Sequence, residues 1–243
     1  MRKIFFKISY LVFKLFRVNR FVASYYNVKL TPIWDDQTFK FCYRGDYGNF
    51  LSDYLNNLNE NFVFVDVGAN QGLYSIIAGK NKFSQRIYSI EPQKRILKIL
   101  ENNLKANEIK DFEIIPYALS NKKQKINLFS FDNHSGKSTL QSQINKSSIR
   151  TEEIETIDSN LIEYIFDLNE NYILKIDVEG HEEVVINELL KIKNFNRVSA
   201  IFYEVNTDWI KPLLIKELLK KAGFKNFIQI GNDNSHHDIL ATK

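Results

Sequence analysis

Phe62-Val63-Phe64-Val65-Asp66-Val67-Gly68-Ala69-Asn70-Gln71-Gly72-Leu73-Tyr74 is an unbroken apolar run that stops at an acidic residue and then at a glycine-spaced loop. Val63, Val65 and Val67 alternate with Phe62 and Phe64, so both faces are apolar. That is the pattern of a central parallel strand covered by helices on each side. Gly68 and Gly72 bracket a turn whose backbone can take dihedrals closed to other residues and approach a ligand. A helix starts at Leu73.

The glycine spacing bears on the ligand. A dinucleotide fingerprint reads G-x-G-x-x-G and brings the backbone to a pyrophosphate. Here the middle glycine is missing. Asp66, just before the turn, would repel a pyrophosphate yet accept hydrogen bonds from an ammonium. The pattern suits a phosphate-free cationic nucleoside, the shape of S-adenosylmethionine; the plainer alternative is a turn that only needs its glycines. The next strand, residues 86–90, ends at Glu91-Pro92. An α/β nucleoside site places a carboxylate there on the two ribose hydroxyls. Taken alone, Glu91 reads equally well as a solvated strand-end acid.

With 243 residues and 44% hydrophobic content, the chain can form one sizeable α/β domain and no second catalytic one. The expected division is residues 1–48 as a basic helix and extension, and 49–243 as the catalytic domain. Lys plus Arg is 33 against 29 Asp plus Glu, a net charge of +4. Nucleic-acid binding usually shows a denser basic face, so no nucleic-acid partner is expected. The single cysteine, Cys42, excludes an intramolecular disulfide and a thiolate zinc site, and reads as a small core residue. A reducing compartment, the cytoplasm, follows as the expectation.

In residues 1–17, Lys3, Lys7, Tyr10, Lys14 and Arg17 fall on one helical stripe, and Ile4, Phe5, Ile8, Leu11, Val12, Leu15 and Phe16 fill the rest. The segment is too short and too often interrupted by lysine to span a bilayer. Two readings stay open: a peripheral anchor on the inner face of a membrane, or a helix packed on its own domain or on a second copy. The oligomeric state is not legible.

Strand-like runs at 113–118, 125–131, 172–177, 198–205, 227–230 and 238–241 alternate with helices at 93–107, 182–192 and 209–222, which argues a mostly parallel sheet. A short helix over 49–58 precedes the first strand. The last two runs, joined by a short polar loop, predict a hairpin and one antiparallel member. Residues 132–139 form a polar insertion without periodicity, a candidate acceptor loop. Its Gly136-Lys137-Ser138 is no P-loop, because Phe occupies position 131 where the first glycine would stand.

Tyr172-Ile173-Leu174-Lys175-Ile176-Asp177-Val178-Glu179-Gly180-His181-Glu182 is the second chemical stretch. In open α/β sheets ligands lie outside the carboxyl ends of the strands, and this acid cluster ends one. Alternation puts Lys175 and Asp177 on one face. A lysine in so apolar a run needs an acid, with Glu204 of the neighbouring strand or a nearby acid as candidates.

These three blocks, in this order and with Pro116-Tyr117-Ala118-Leu119-Ser120 between them, resemble the FkbM-type family of S-adenosylmethionine-dependent methyltransferases. The resemblance covers residues 60–206. It implies a class I methyltransferase fold, a Rossmann-like three-layer sandwich around a seven-stranded, mostly parallel sheet with one antiparallel strand. It implies methyl transfer to a hydroxyl, on a sugar of a cell-surface glycan or glycolipid, or alternatively on a polyketide-type natural product. By position, Asp66, Gly68, Asn70, Gly72 and Tyr74 resemble the cofactor loop, Glu91 the ribose acid, Ala118 the adenine pocket, and Asp177, Glu179 and His181 the catalytic edge. Either Asp177 or His181 would take the acceptor proton. Asp177 has a second reading, orienting the cofactor or binding Lys175; His181 has one as a helix cap. The D-x-E-x-H spacing also offers ligands for a divalent metal, although S-adenosylmethionine alone is the expected cofactor. A non-catalytic cofactor-binding scaffold is the rival from another class.

Overall fold

The chain opens with helix α1 (Arg2–Leu15), a short ribbon of β1 (Val22–Ala23) and β2 (Lys29–Leu30), and helices α2 (Gln37–Arg44) and α3 (Asn49–Asn56). Then come β3 (Phe62–Val67), α4 (Leu73–Lys80), β4 (Ser84–Ile90), α5 (Lys94–Ala106) and β5 (Phe112–Ile115). A β-rich insertion follows: β6 (Ala118–Leu119), β7 (Gln124–Phe131), β8 (His134–Thr139) and β9 (Ile149–Ile157). The chain ends with α6 (Ser159–Ile162), β10 (Asn171–Ile176), α7 (Glu182–Leu189), β11 (Val198–Asn206), α8 (Pro212–Lys221), β12 (Asn226–Ile230) and β13 (His236–Thr242). This computed structural model describes residues 1–141 and 149–243.

Seven strands form the main sheet in the order β12-β13-β11-β10-β3-β4-β5, with β13 antiparallel to both neighbours and the other pairs parallel. The alternation in β3 divides the core. Val63, Val65 and Val67 pack with Ile162 of α6, Val185 and Ile186 of α7, and Leu219 of α8. Phe62 and Phe64 face the other way, with Ile76 of α4, Leu100 of α5 and the aromatic residues of α1 and α2. Helices thus cover both faces, which makes three layers, and the carboxyl ends of β3, β4 and β10 open on one edge.

The sequence pattern was incomplete in several places, and strand β9 was not among the expected runs. Residues 132–139, expected as a loop, contain β8, the edge strand of a four-stranded sheet ordered β6-β9-β7-β8. Its buried positions are Ser135 and Thr139, which face polar partners, so hydropathy gives no alternation to detect. The run at 113–118 breaks at Pro116, and Ala118 belongs to the small sheet. In the N-terminal extension, Phe6, Tyr10, Trp34, Phe39 and Tyr43 share one core with Phe62 and Phe64. Helix α2, not expected, has legible ends. Asp36 caps it by accepting from the Phe39 N–H (2.8 Å), and Gly45 closes it in the left-handed region (φ 70°).

Candidate active site

Lys175 is the hub of this edge. The register of β10 sets it beside Asp66 of β3. Its Nζ donates to the Gly68 carbonyl (2.6 Å) and lies 3.3 Å from Asp66 Oδ1 and 3.5 Å from Asp177 Oδ2. Burial works against the ammonium, but the carboxylates of Asp177 and Asp66 outweigh it and hold the proton more tightly than usual. The partners are therefore Asp66 and Asp177, not Glu204. Lys175 stands level with Phe202, and Glu204 lies two residues further along β11, where it takes His236 Nε2 instead (2.7 Å).

The glycine loop is locked to the β10 end. Gly68 has φ 78°, and a Cβ there would come within 1.9 Å of the Asp177 carbonyl. Asn70 adopts the left-handed region at φ 49°, a conformation that costs energy for a non-glycine residue. Its N–H donates to Glu91 Oε2 (2.8 Å), and the Gln93 N–H donates to Glu91 Oε1 (2.9 Å). Burial pushes the Glu91 carboxyl up to about 7 against the pull of these two donors.

These elements enclose a cavity of about 400 Å³. One end is apolar, with Tyr117, Ala118, Leu119, Leu128 and Leu140; Gly68, Asn70, Tyr74 and Glu91 line the middle; Asp177, Glu179, His181 and Glu204 line the rest. Asp66 and Gly72, expected to touch the cofactor, are not on its wall. Asp66 is fully buried behind Lys175, where its Oδ2 accepts from Ser75 Oγ (2.7 Å). Gly72 packs on Leu100. Strand β8 closes the rim: the Ser135 N–H donates to Asp36 (2.7 Å), its hydroxyl lies 3.1 Å from Asn70 Oδ1, and the Thr139 hydroxyl donates to the Glu179 carbonyl (2.6 Å).

At the polar end, Asp177, Glu179 and Glu204 each place an oxygen within 4.8 Å of the others. Burial, then Glu204 and Asp177, push the Glu179 carboxyl up to about 10. Burial and Asp177 push Glu204 up to about 7 against the pull of His236, and the same two causes take Asp238 to about 7. Glu182 fixes the turn by accepting from the Val178 and Gly180 N–H groups (3.0 and 3.1 Å). His181 points elsewhere: its Nε2 shares a hydrogen bond with Ser120 Oγ (3.0 Å), and burial lowers its pKa, which keeps it neutral. The D-x-E-x-H spacing thus gathers no metal set. The third acid beside Asp177 and Glu179 is Glu204, and this trio already serves Lys175 and His236, which weakens its fit to a metal ion.

Residues 66–226 match the methyltransferase FkbM domain. The chain belongs to that family. A search of curated proteins finds no match to it. The METTL16 methyltransferase domain superposes with a TM-score of 0.51 at 10% identity, over 90% of this chain and 74% of that one. TYW2 of M. jannaschii in complex with AdoMet gives 0.48 at 14% identity, over 89% and 82%. SMU.1697c, a putative methyltransferase from Streptococcus mutans in complex with SAH, gives 0.47 at 11%, over 80% and 96%. The fold is that of class I methyltransferases, and an FkbM methyltransferase draws its methyl group from S-adenosylmethionine. The cavity fits that molecule in sequence: apolar walls for a base, Glu91 for a diol, and carboxylates for an ammonium. The Tyr74 ring borders the cavity near Lys175, while its hydroxyl is buried against Gly48 without a hydrogen-bond partner among the described residues.

Proposed function

We propose that the protein methylates a hydroxyl of a saccharide, on a cell-surface glycan or glycolipid, and that Asp177 takes the hydroxyl proton. The observation that carries this is the carboxylate-lined end of the cavity. Asp177 and Glu204 are acceptors when ionised, and a polyhydroxyl ligand brings many donors. The same charge opposes a phosphate-rich acceptor. Trp209, 41% exposed and seated against Gly180, adds a flat apolar face beside the acids for the C–H side of a sugar ring.

Residues Gly68, Asn70, Tyr74, Glu91 and Ala118 would hold S-adenosylmethionine, which supplies an electrophilic methyl group on a sulfonium and becomes a neutral thioether. Asp66 acts from behind, by fixing Lys175. Lys175 in turn holds Asp177 at the strand end, so the base is placed before the acceptor arrives. Glu179, protonated at neutral pH, is a donor to the acceptor rather than a base. His181 holds the turn through Ser120. General-base assistance of this kind contributes about 10²–10⁴ in rate.

The test is S-adenosylhomocysteine release from S-adenosylmethionine with saccharide, glycolipid and polyketide-type acceptors. Methylated saccharide is the expected product. Turnover only on polyketide-type hydroxyls would replace the acceptor assignment, and cofactor binding without turnover across the panel would point to a scaffold.

A further inference from the structure

Helix α1 uses one face on the domain and leaves the opposite face bare. Phe6, Ser9 and Tyr10 are buried. Phe6 packs edge-on against Tyr25 and Tyr43, the Ser9 hydroxyl is 2.9 Å from that of Tyr43, and the Tyr10 hydroxyl donates to the Trp34 carbonyl (2.7 Å). With about 3.6 residues per turn, Ile4, Ile8, Leu11 and Leu15 form a row on the far side, flanked by Phe5, Val12 and Phe16. All seven are exposed, from 44% for Val12 to 78% for Leu15. Lys3, Lys7 and Lys14 run along the margin between the two faces.

Charge names the occupant. The first acid in the chain is Asp35, so residues 1–34 hold seven of the 33 Lys and Arg (Arg2, Lys3, Lys7, Lys14, Arg17, Arg20 and Lys29) and none of the 29 Asp and Glu. Beyond them the balance reverses, 26 basic against 29 acidic residues. Asp35 serves Lys14 (3.1 Å) and Arg17 (2.6 Å), while Lys3 and Lys7 pair with no carboxylate among the described residues. A second copy docked on this face would bring the same cations and no acid to meet them. A lipid headgroup layer brings the acid.

We infer that α1 lies in the surface of an anionic bilayer, its bare row at the headgroup–acyl boundary and its lysines among the headgroups. The helix docks the domain on one side and lipid on the other. No helix among the described residues is long and apolar enough to cross a membrane, so the contact is peripheral. This inference does not depend on the methyl acceptor.

The full chain is floated with vesicles of phosphatidylcholine, with and without phosphatidylglycerol. The expected result is flotation with the anionic vesicles alone. The double variant Lys3→Gln, Lys7→Gln should bind less, roughly fivefold per lysine, the equivalent of about 1 kcal/mol per basic side chain near an anionic surface. The variant Phe5→Gln, Leu11→Gln, Leu15→Gln should lose flotation at an unchanged melting temperature; if it melts lower, the lysine pair carries the test. Equal binding to neutral vesicles, or full binding by both variants, overturns the inference. So does a full chain that does not float but forms a dimer that the apolar variant dissociates, which would assign the face to a second copy.

Discussion

At the scale of single residues, Lys175 decides how the site holds together, because its one ammonium serves a carbonyl and two carboxylates in a dry position. Removing one partner of such a group leaves the others uncompensated, at about 3–5 kcal/mol. Lys175→Met should therefore destabilise the protein by that order in chemical denaturation, and Lys175→Met with Asp66→Asn should recover part of the loss. Equal stability of the wild type and the single variant would show that the three groups do not interact as placed. Asp177 and His181 separate by kinetics. Asp177→Asn should lower kcat by about 10²–10⁴ with cofactor affinity little changed, while His181→Ala should cost far less, since its Nε2 is turned to Ser120. The reverse order would move the base to His181; parallel losses of rate and cofactor affinity in Asp177→Asn would make that residue an orienting group. The need of Lys175 for an acid was legible in the sequence. Which acid was not, because the choice between Asp66 and Glu204 rests on strand register, and no local pattern encodes the neighbour of a parallel strand.

At the scale of elements, strand β8 joins three parts of the chain that are remote in sequence. Ser135 meets Asp36 and Asn70, and Thr139 meets the Glu179 carbonyl. Asp36 alone caps α2 and receives the Ser135 N–H, the Ser135 hydroxyl and Gln71 Nε2. Its replacement by alanine removes an N-cap, about 0.5–2 kcal/mol, and orphans a buried N–H, about 1–3 kcal/mol. Asp36→Ala should thus lose about 2–4 kcal/mol in denaturation and weaken S-adenosylmethionine binding in calorimetry, since Asn70 loses its fixed neighbour. A stability loss with unchanged cofactor affinity would confine Asp36 to the fold. Elements that build the main sheet were legible because their apolar alternation is strong, as in Phe62–Val67. The β8 strand was hidden because its inward residues are Ser135 and Thr139, and α2, although Asp36 and Gly45 mark its ends, because its eight residues give only about two turns of periodicity.

At the scale of the whole molecule, the acids sort by depth, and this sets how stability follows pH. Burial pushes Glu91, Glu182, Glu204 and Asp238 up to about 7 from ordinary values of 4.5 for glutamate and 3.8 for aspartate. The folded chain therefore binds these protons more tightly than the unfolded chain does. Their contribution is fully present below the unfolded values and is lost as pH rises through about 7. Exposed carboxylates act in the opposite sense at lower pH: Asp35, Glu101 and Asp233 are lowered by hydrogen bonds, from Arg17, Lys105 and Ser235 in that order, and lose their contribution in acid. Maximum stability without ligand is expected near about pH 5, between the two sets. Thermal melts from that pH to weakly alkaline buffer should show a falling midpoint, each kcal/mol being about 2–4 °C for a domain of this size. Glu204→Gln with Asp238→Asn removes two of the five acids that burial pushes up, Glu179 being the fifth, and should flatten the fall. An unchanged slope in the double variant, or a level profile in the wild type, would mean that these carboxyls titrate at ordinary values. The gathering of Glu182 after β10, Glu204 of β11 and Asp238 beside it on β13 would then lose its cost, and with it the sign that fold stability yields to ligand binding there.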